Sequence, residues 1–210
     1  MRPLTSDLLL RAYAMGIFPM ARSRQDPRLY WIDPDQRGVL PLEDFHVPRS
    51  LRKVLRRGEF ELRCDTAFEE VMRGCAEPGP ERSDTWINDE IIRLFVELFR
   101  LGLAHSVECW QGERLVGGLY GLSLGAAFFG ESMFSRVPNA SKVALVHLVA
   151  RLKKGGYRLL DTQFVTDHLQ RFGAIEIPRT DYLQRLSRAI DLPAAFPRED
   201  GVPWELALEG

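Results

Sequence analysis

The chain has 210 residues, of which 45% are hydrophobic and 27% are charged, and its formal net charge is −1. These values are typical of a globular protein with one large domain or two small ones. No apolar run reaches the length of about 18 residues that a transmembrane helix needs, so we expect no membrane partner. The start of the chain lacks a signal-peptide pattern, which predicts a cytoplasmic protein.

Cysteine and histidine spacing indicates no metal site. The three cysteines, Cys64, Cys75 and Cys109, are odd in number and far apart. This argues against a disulfide framework and against a Cys-X-X-Cys site. The histidines lie at no spacing typical of zinc ligands. We therefore predict that no metal is bound.

Positive and negative charges are divided unevenly along the chain. Residues 1–63 carry 12 Lys and Arg against 8 Asp and Glu, whereas residues 64–210 carry 16 against 21. A basic front half on an acidic body favours a polyanionic partner on one side and a cationic partner on the other. An imbalance of this size also arises by chance, so it serves only as support.

Residues 1–58 are predicted to form a small N-terminal domain with a basic helix. A helix capped by Thr5 or Ser6 is expected to run to Met15. The basic helix is predicted over 48–57, where leucine and valine side chains recur on one side as a buried stripe. Its other positions are five cations with no carboxylate among them: Arg49, Arg52, Lys53, Arg56 and Arg57. This face is either a solvated surface or a contact for nucleic-acid phosphates.

Residues 59–210 are predicted to follow the order β-α-α-β-β-β-α-β-α-β-α. Changes of hydrophobic period place the strands at 59–63, 104–110, 113–120, 126–131, 157–164 and 175–177. Asn139 and Thr166 are expected to cap two of the helices between them. A run of strands followed by βαβ alternation predicts an α+β fold, with a mixed sheet flanked by helices. The element order matches an acetyltransferase-like (GNAT) domain.

Polar side chains end two of the predicted strands. Glu131 follows a glycine-rich strand pair, and Asp161 and Gln163 alternate on the strand after the next helix. Because alternate residues of a strand face the same side, we expect Asp161 to accept a hydrogen bond from the side-chain amide of Gln163. The alternatives are a purely structural hydrogen-bond pair and, for Glu131, a salt bridge to Arg136 or Lys142.

Nine blocks in the same order, over roughly residues 7–185, resemble those of the leucyl/phenylalanyl-tRNA–protein transferase family. They include Tyr-Ala-Met-Gly-Ile-Phe-Pro-Met (13–20), Asp-Thr-Trp-Ile (84–87), Phe-Gly-Glu-Ser-Met-Phe-Ser (129–135), Asn-Ala-Ser-Lys (139–142) and Leu-Asp-Thr-Gln (160–163). The resemblance implies a small N-terminal domain joined to a GNAT-like catalytic domain at 59–210. It implies transfer of Leu, Phe and, less well, Met from aminoacyl-tRNA to proteins with N-terminal Arg or Lys, which marks them for N-degron degradation. The implied partners are Leu-tRNA, Phe-tRNA and such proteins, without a cofactor.

The residues themselves, considered with the implied reaction, suggest individual roles. Gln163, Asp161 and Glu131 are the catalytic candidates, with Gln163 orienting the attacking amine. The substrate-binding candidates are Trp31, Trp86, Phe129, Met133, Ser135, Leu160 and Thr166. The five cations of the basic helix are the tRNA-binding candidates. The glycines of 117–130 are interpreted as room for an aminoacyl-adenosine beside the backbone.

Two other functions compete with this one. An acyl-CoA N-acyltransferase on the same fold would need a glycine-rich pyrophosphate loop before a helix, and residues 136–142 lack one. A non-catalytic RNA-binding module would explain the basic helix but would leave the polar strand ends at Glu131 and Gln163 without a purpose.

Overall fold

The computed structural model of the chain describes residues 4–78 and 84–209. The helices within these ranges are α1 (Ser6–Ala14), α2 (Arg49–Arg57), α3 (Phe68–Cys75), α4 (Asp89–Arg100), α5 (Ala140–Lys154), α6 (Asp167–Gln170), α7 (Arg179–Ile190) and a 3₁₀ helix (Trp204–Leu208). The loop predicted at 76–84 lies largely outside the described residues. Within the described ranges, no helix is both long enough and apolar enough to cross a membrane.

The strands form two sheets. They are β1 (Phe18–Met20), β2 (Tyr30–Ile32), β3 (Gln36–Val39), β4 (Glu61–Cys64), β5 (Ala104–Gln111), β6 (Arg114–Leu124), β7 (Ala127–Ser135), β8 (Leu159–Gln163) and β9 (Ile175–Pro178). Strands β1 and β2 pair by themselves, and the other seven follow the order β4-β5-β6-β7-β8-β3-β9. Strands β7 and β8 run parallel, whereas the other paired neighbours run antiparallel.

The large sheet separates two hydrophobic clusters. Phe128 and Leu160 lie in the cluster with side chains of α2 and α5, whereas Phe129 and Leu159 lie in the cluster with α1, α3, α4 and α7. This is the alternation expected of strands covered on both faces. The prediction of a mixed sheet flanked by helices is therefore confirmed, while the likeness to acetyltransferases stays a prediction.

The segment 1–58 contributes to the large sheet as well as to the small one. Strand β3 lies between β8 and β9, and α2 packs on α5 through the buried side chains of Leu51 and Leu55. The large sheet thus draws on residues from both sides of position 58. The division into 1–58 and 59–210 stays a prediction.

Candidate functional site

The candidate site lies where two parallel strands of the large sheet separate. Strands β7 and β8 pair from Ala127 with Leu159 to Phe129 with Asp161, and their pairing ends there. Beyond that point β7 continues beside β6, while β8 pairs with β3. A pocket of about 750 Å³ opens in the gap, which is a volume typical of small-molecule sites.

Glu131 and Gln163 face each other across this gap. The Nε2 atom of Gln163 donates a hydrogen bond of 3.2 Å to Oε1 of Glu131, and both residues line the pocket. The alternative salt bridge from Glu131 to Arg136 is not formed, because Arg136 pairs with Glu77 at 2.6 Å. Two predicted catalytic candidates are therefore brought together at the pocket.

Asp161 does not reach the pocket, because three groups hold its carboxylate in the protein interior. The Arg37 guanidinium donates to both carboxylate oxygens, with an Nη2–Oδ2 distance of 2.6 Å. The hydroxyl of Tyr182 donates to Oδ2 at 2.6 Å. Burial raises the pKa of Tyr182, and the Asp161 charge raises it further, so this hydroxyl stays protonated and remains a donor.

The predicted contact between Asp161 and the side-chain amide of Gln163 is wrong. Asp161 accepts instead from the backbone N–H of Gln163, at 2.8 Å. Gln163 has a φ of 56°, so the chain leaves the regular strand geometry in which alternate side chains share a face. Asp161 thus fixes the turn from which the Gln163 side chain reaches Glu131.

The carboxyl group of Glu131 holds its proton more tightly than an ordinary glutamate. Burial raises its pKa to about 8, because the charged form loses hydration among apolar walls. The nearby hydroxyl of Tyr13 opposes this rise, the charge of Asp161 adds to it and Arg37 again opposes it. A group with a pKa near the working pH is well suited to accept and return a proton.

Most of the predicted substrate-binding residues line the pocket. They are Trp86, Met133, Ser135, Leu160 and Thr166. Leu145, Leu148 and Leu169 extend the apolar wall. Ser135 also serves the backbone, because its Oγ accepts from the N–H of Ser141 in the first turn of α5. The cap position itself is held by Asn139, as predicted, but its side chain makes no capping hydrogen bond.

The pocket excludes two of the predicted substrate-binding residues. Phe129 is completely buried in the hydrophobic cluster that contains α1 and does not line the pocket; its ring lies edge-on to that of Tyr13 at 5.0 Å. Trp31 is 42% exposed and pairs across the small sheet with Pro19. The neighbouring pairs contain Phe18 and Met20, which line the pocket. Since side chains alternate along a strand, Trp31 lies on the face away from the pocket.

The glycines of 117–130 serve packing more than ligand binding. A Cβ on Gly117 would lie 2.5 Å from that of Ala140, so this glycine lets α5 approach β6 closely. Gly121 faces the ring of Phe128 in the same way. Gly130 alone among these glycines lines the pocket. A Cβ on Gly130 would have no neighbouring atom closer than the carbonyl oxygen of Asp161, at 3.6 Å. The interpretation of the segment as room for a ligand is therefore wrong except at Gly130.

Several residues that the sequence did not single out complete the site. Phe18 and Met20 of β1 and Phe164 of the loop after β8 line the pocket, and the rings of Phe18 and Phe164 meet edge-on at 5.8 Å. Arg37 and Tyr182 fix Asp161 from the far side. The alternation in Ile-Phe-Pro-Met at 17–20 was a usable signal for Phe18 and Met20, because it predicts a strand with both side chains on one face.

The five cations of the predicted tRNA-binding helix α2 differ in exposure and in their partners. Arg49, Lys53 and Arg56 are exposed and make no ion pair within the described part of the chain. The Nε atom of Arg52 donates to the carbonyl oxygen of Val47 at 2.9 Å, which fixes the start of the helix. Arg57 pairs with the neighbouring Glu59 at 3.4 Å. Three of the five cations are thus fully available to a polyanion.

Comparison with known proteins matches nearly the whole chain to one family. The family model described as "Leucyl/phenylalanyl-tRNA protein transferase" matches residues 39–187, and the model of its N-terminal domain matches residues 2–35. A leucyl/phenylalanyl-tRNA–protein transferase of Paramagnetospirillum magneticum is 69% identical over 208 residues, covering 99% of this chain and 100% of the relative. The corresponding protein of Rhodospirillum rubrum is 64% identical over 193 residues, covering 92% of this chain and 91% of the relative.

A third relative agrees, and the solved structures add little. The leucyl/phenylalanyl-tRNA–protein transferase of Phenylobacterium zucineum is 63% identical over 208 residues, covering 96% of this chain and 94% of the relative. The solved structure of L-PGS from Bacillus licheniformis is similar at a TM-score of 0.48 and 12% identity, over 88% of this chain and 76% of that protein's chain. The sequence matches are decisive: the chain belongs to the leucyl/phenylalanyl-tRNA–protein transferase family.

Proposed function

We propose that this aminoacyltransferase moves Leu, Phe and, less well, Met from aminoacyl-tRNA to the α-amine of proteins with N-terminal Arg or Lys. Aminoacyl transfer from tRNA to protein follows from the family; the identity of the donors and acceptors is our proposal. The observation that carries it is the Glu131–Gln163 pair at the edge of an apolar pocket. Proteins modified in this way would be marked for N-degron degradation.

The apolar pocket wall supports selection of aminoacyl groups whose side chains are long and unbranched at Cβ. Leu145, Leu148, Leu160 and Leu169 form an apolar wall, and Met133 of β7 packs against the same hydrophobic cluster. Leucine, phenylalanine and methionine are all apolar and unbranched at Cβ, so they fit the same slot. A hydrophobic slot discriminates one methylene by only about 1–3 kcal/mol. Some tolerance of methionine is therefore expected.

Glu131 and Gln163 can together handle the attacking amine. The Gln163 amide nitrogen is occupied by Glu131, and its amide oxygen accepts no hydrogen bond from the described residues, so it is open to an amine N–H. The amine nitrogen attacks the ester carbonyl, a C–N bond forms, and the bond to the ribose oxygen breaks. One amine proton passes to the Glu131 carboxylate and then to the ribose oxygen, which leaves as a hydroxyl on free tRNA.

Asp161 acts in this scheme as a positioning residue. Its charge is compensated by Arg37, its oxygens are occupied by Arg37, Tyr182 and the Gln163 backbone, and it has no exposure to solvent. A carboxylate held in this way cannot accept a proton from a substrate that it does not touch. Its contribution is to hold Gln163 in the orientation that positions the amine.

The ester of an aminoacyl-tRNA already carries the free energy for peptide-bond formation. We therefore propose that no cofactor takes part, and that the protein works in the cytoplasm, where aminoacyl-tRNA is made. Family membership disfavours both the acyl-CoA N-acyltransferase and the non-catalytic RNA-binding module.

A donor and acceptor panel tests the proposal. Purified protein is incubated with labelled Phe-tRNA, Leu-tRNA, Met-tRNA or Val-tRNA and with peptides that begin with Arg, Lys, Ala or N-acetyl-Arg. We expect label on the Arg and Lys peptides from Phe, Leu and, more slowly, Met, but none from β-branched Val and none on the acetylated peptide. Transfer to Ala as fast as to Arg would overturn the acceptor assignment, and transfer of Val would overturn the pocket assignment.

A further inference from the structure

We propose that Lys142 and Arg171, which flank His168 at the mouth of the pocket, bind the phosphodiester backbone at the 3′ end of the aminoacyl-tRNA. The proposal rests on the proposed function, because it concerns the donor of the same reaction. It assigns a phosphate-binding rim to residues of the first turn of α5 and of the end of α6, away from the basic helix α2.

His168 locates the two cations beside the pocket. It lines the pocket together with Ser141 and Thr166. Lys142 directly follows the lining residue Ser141 in the first turn of α5. Arg171 is the C-cap of α6, one turn after His168. In keeping with these positions, burial lowers the pKa of His168, and the charges of Lys142 and Arg171 lower it further. The Nε2 atom is buried and has no hydrogen-bond partner within the described residues. The rim therefore combines positive potential with an unused polar atom.

The two cations are not neutralised by carboxylates. Neither Lys142 nor Arg171 forms an ion pair with any described residue, including Asp167, which precedes His168, whereas Arg136 is paired with Glu77 at 2.6 Å. The first turn of α5 contains no acidic side chain. The positive end of this long helix adds to the same potential. An anion at the rim would thus meet two cations that no described carboxylate already neutralises.

The segment that contains Arg171 packs against the loop that leads into α2. Phe172 follows Arg171 directly, and its ring stacks on that of Phe45 at 5.7 Å and 10°. The backbone N–H of His46 donates to the carbonyl oxygen of Phe172 at 3.0 Å. Since α2 begins at Arg49, the start of the basic helix is fixed against the segment that contains Arg171. The rim and the start of α2 are therefore joined by direct contacts.

The chemistry of the donor requires such an exit. The ester must reach Glu131 and Gln163 inside the pocket, while the rest of the tRNA is far too large to enter. The first phosphodiesters of the single-stranded 3′ end therefore lie at the mouth, where unpaired Lys and Arg side chains bind phosphate oxygens and release counterions. Such contacts position the strand without reading its sequence.

Donors with and without phosphates distinguish phosphate binding by Lys142 and Arg171 from a structural role in the pocket. The double variant Lys142→Gln/Arg171→Gln is compared with wild type and with Arg185→Gln, an exposed unpaired cation of α7. The donors are Phe-tRNA, a phenylalanyl-CCA trinucleotide and phenylalanyl-adenosine without phosphate, each with the same Arg peptide. We expect the double variant to raise KM at least tenfold for the two phosphate-containing donors and to leave phenylalanyl-adenosine unchanged, while Arg185→Gln changes none of them.

Three outcomes would overturn the inference. The first is an equal loss with phenylalanyl-adenosine, which would mean that the two side chains support the pocket itself. The second is an unchanged KM for every donor, and the third is a change confined to KM for the peptide. If wild-type protein transferred phenylalanine from none of the donors, the proposed function would fail first, and the inference with it.

Discussion

The side-chain amide of Gln163 donates a hydrogen bond of 3.2 Å to the carboxylate of Glu131 across the gap between β7 and β8. The backbone pairing of the two strands ends two residues earlier on each strand, at Phe129 and Asp161. Side chains therefore bridge the strands where the backbone no longer does. The parting of the strands provides both the pocket and the polar pair at its edge.

The raised pKa of Glu131 should make the transfer rate depend on pH, and Glu131→Gln should remove this contribution. The carboxylate accepts a proton only when ionised, so the wild-type rate rises with pH until about the pKa, which is about 8. The acceptor amine must also lose its proton, and its pKa is about 7.7–8.0. We therefore expect log kcat/KM to rise with a slope near two below these values in wild type and near one in Glu131→Gln.

Glu131→Gln should also lower kcat/KM by about 10²–10⁴-fold, the usual contribution of a general base. Gln184→Glu, on the exposed face of α7, serves as the matched control and should leave the profile unchanged. If wild type and Glu131→Gln gave profiles of the same slope, Glu131 would not be the proton acceptor.

Removing one partner of the buried Arg37–Asp161 pair should strongly destabilise the protein. Arg37→Met leaves the fully buried Asp161 carboxylate without its cation, a change that typically costs about 3–5 kcal/mol. Urea unfolding measures the loss. The exposed pair of Asp7 and Arg11, at 2.9 Å, supplies the control, since Arg11→Met should change the unfolding free energy by at most about 1 kcal/mol. Equal effects of the two substitutions would contradict the assigned role of Arg37.

Local signals predicted much of the fold. The side chains of Thr5 and Thr166 accept hydrogen bonds from the first turns of α1 and α6, as their positions in the sequence predicted. Capping depends on residues within one turn of each other, so the sequence contains all the information needed. The change of hydrophobic period likewise located β5, β6 and β7, although β7 continues to Ser135.

Contacts between segments that are distant in the sequence could not be predicted from local patterns. Arg37 and Asp161 are 124 residues apart, and no local pattern links them. The face on which Trp31 lies depends on its register with β1. The left-handed backbone of Gln163 breaks the alternation on which its predicted contact with Asp161 depended. Such a conformation is uncommon in residues other than glycine, so the periodic pattern could not predict it.

Enlarging one pocket side chain should change donor preference. Met133 lines the pocket and is half-buried, so Met133→Phe shortens the slot without disturbing the sealed core. We expect transfer of Phe to fall more than transfer of Leu, which shifts the ratio of kcat/KM values by about 10–200-fold. Leu192→Phe, at an exposed position after α7, is the control. If Met133→Phe slowed both donors equally, Met133 would not contact the aminoacyl side chain.

Charge reversal on α2 should weaken tRNA binding in a salt-dependent way. Lys53→Glu/Arg56→Glu changes two exposed, unpaired cations, and Arg52 is left intact because it fixes the helix start. The slope of log K against log salt concentration should decrease by about one for each lost phosphate contact. Titration of Phe-tRNA at several salt concentrations measures it, with Arg188→Glu on α7 as control. An unchanged slope would assign α2 to ordinary solvated surface.

The most direct test of the account is single-turnover transfer by Gln163→Ala at saturating Phe-tRNA. In the proposed reaction Gln163 contacts the attacking amine and not the tRNA, so the transfer rate should fall by at least about 10²-fold while the dissociation constant for Phe-tRNA stays within about twofold of wild type. A transfer rate equal to that of wild type, in folded protein, would remove Gln163 from the reaction and contradict the assignment of this gap between strands as the reacting centre.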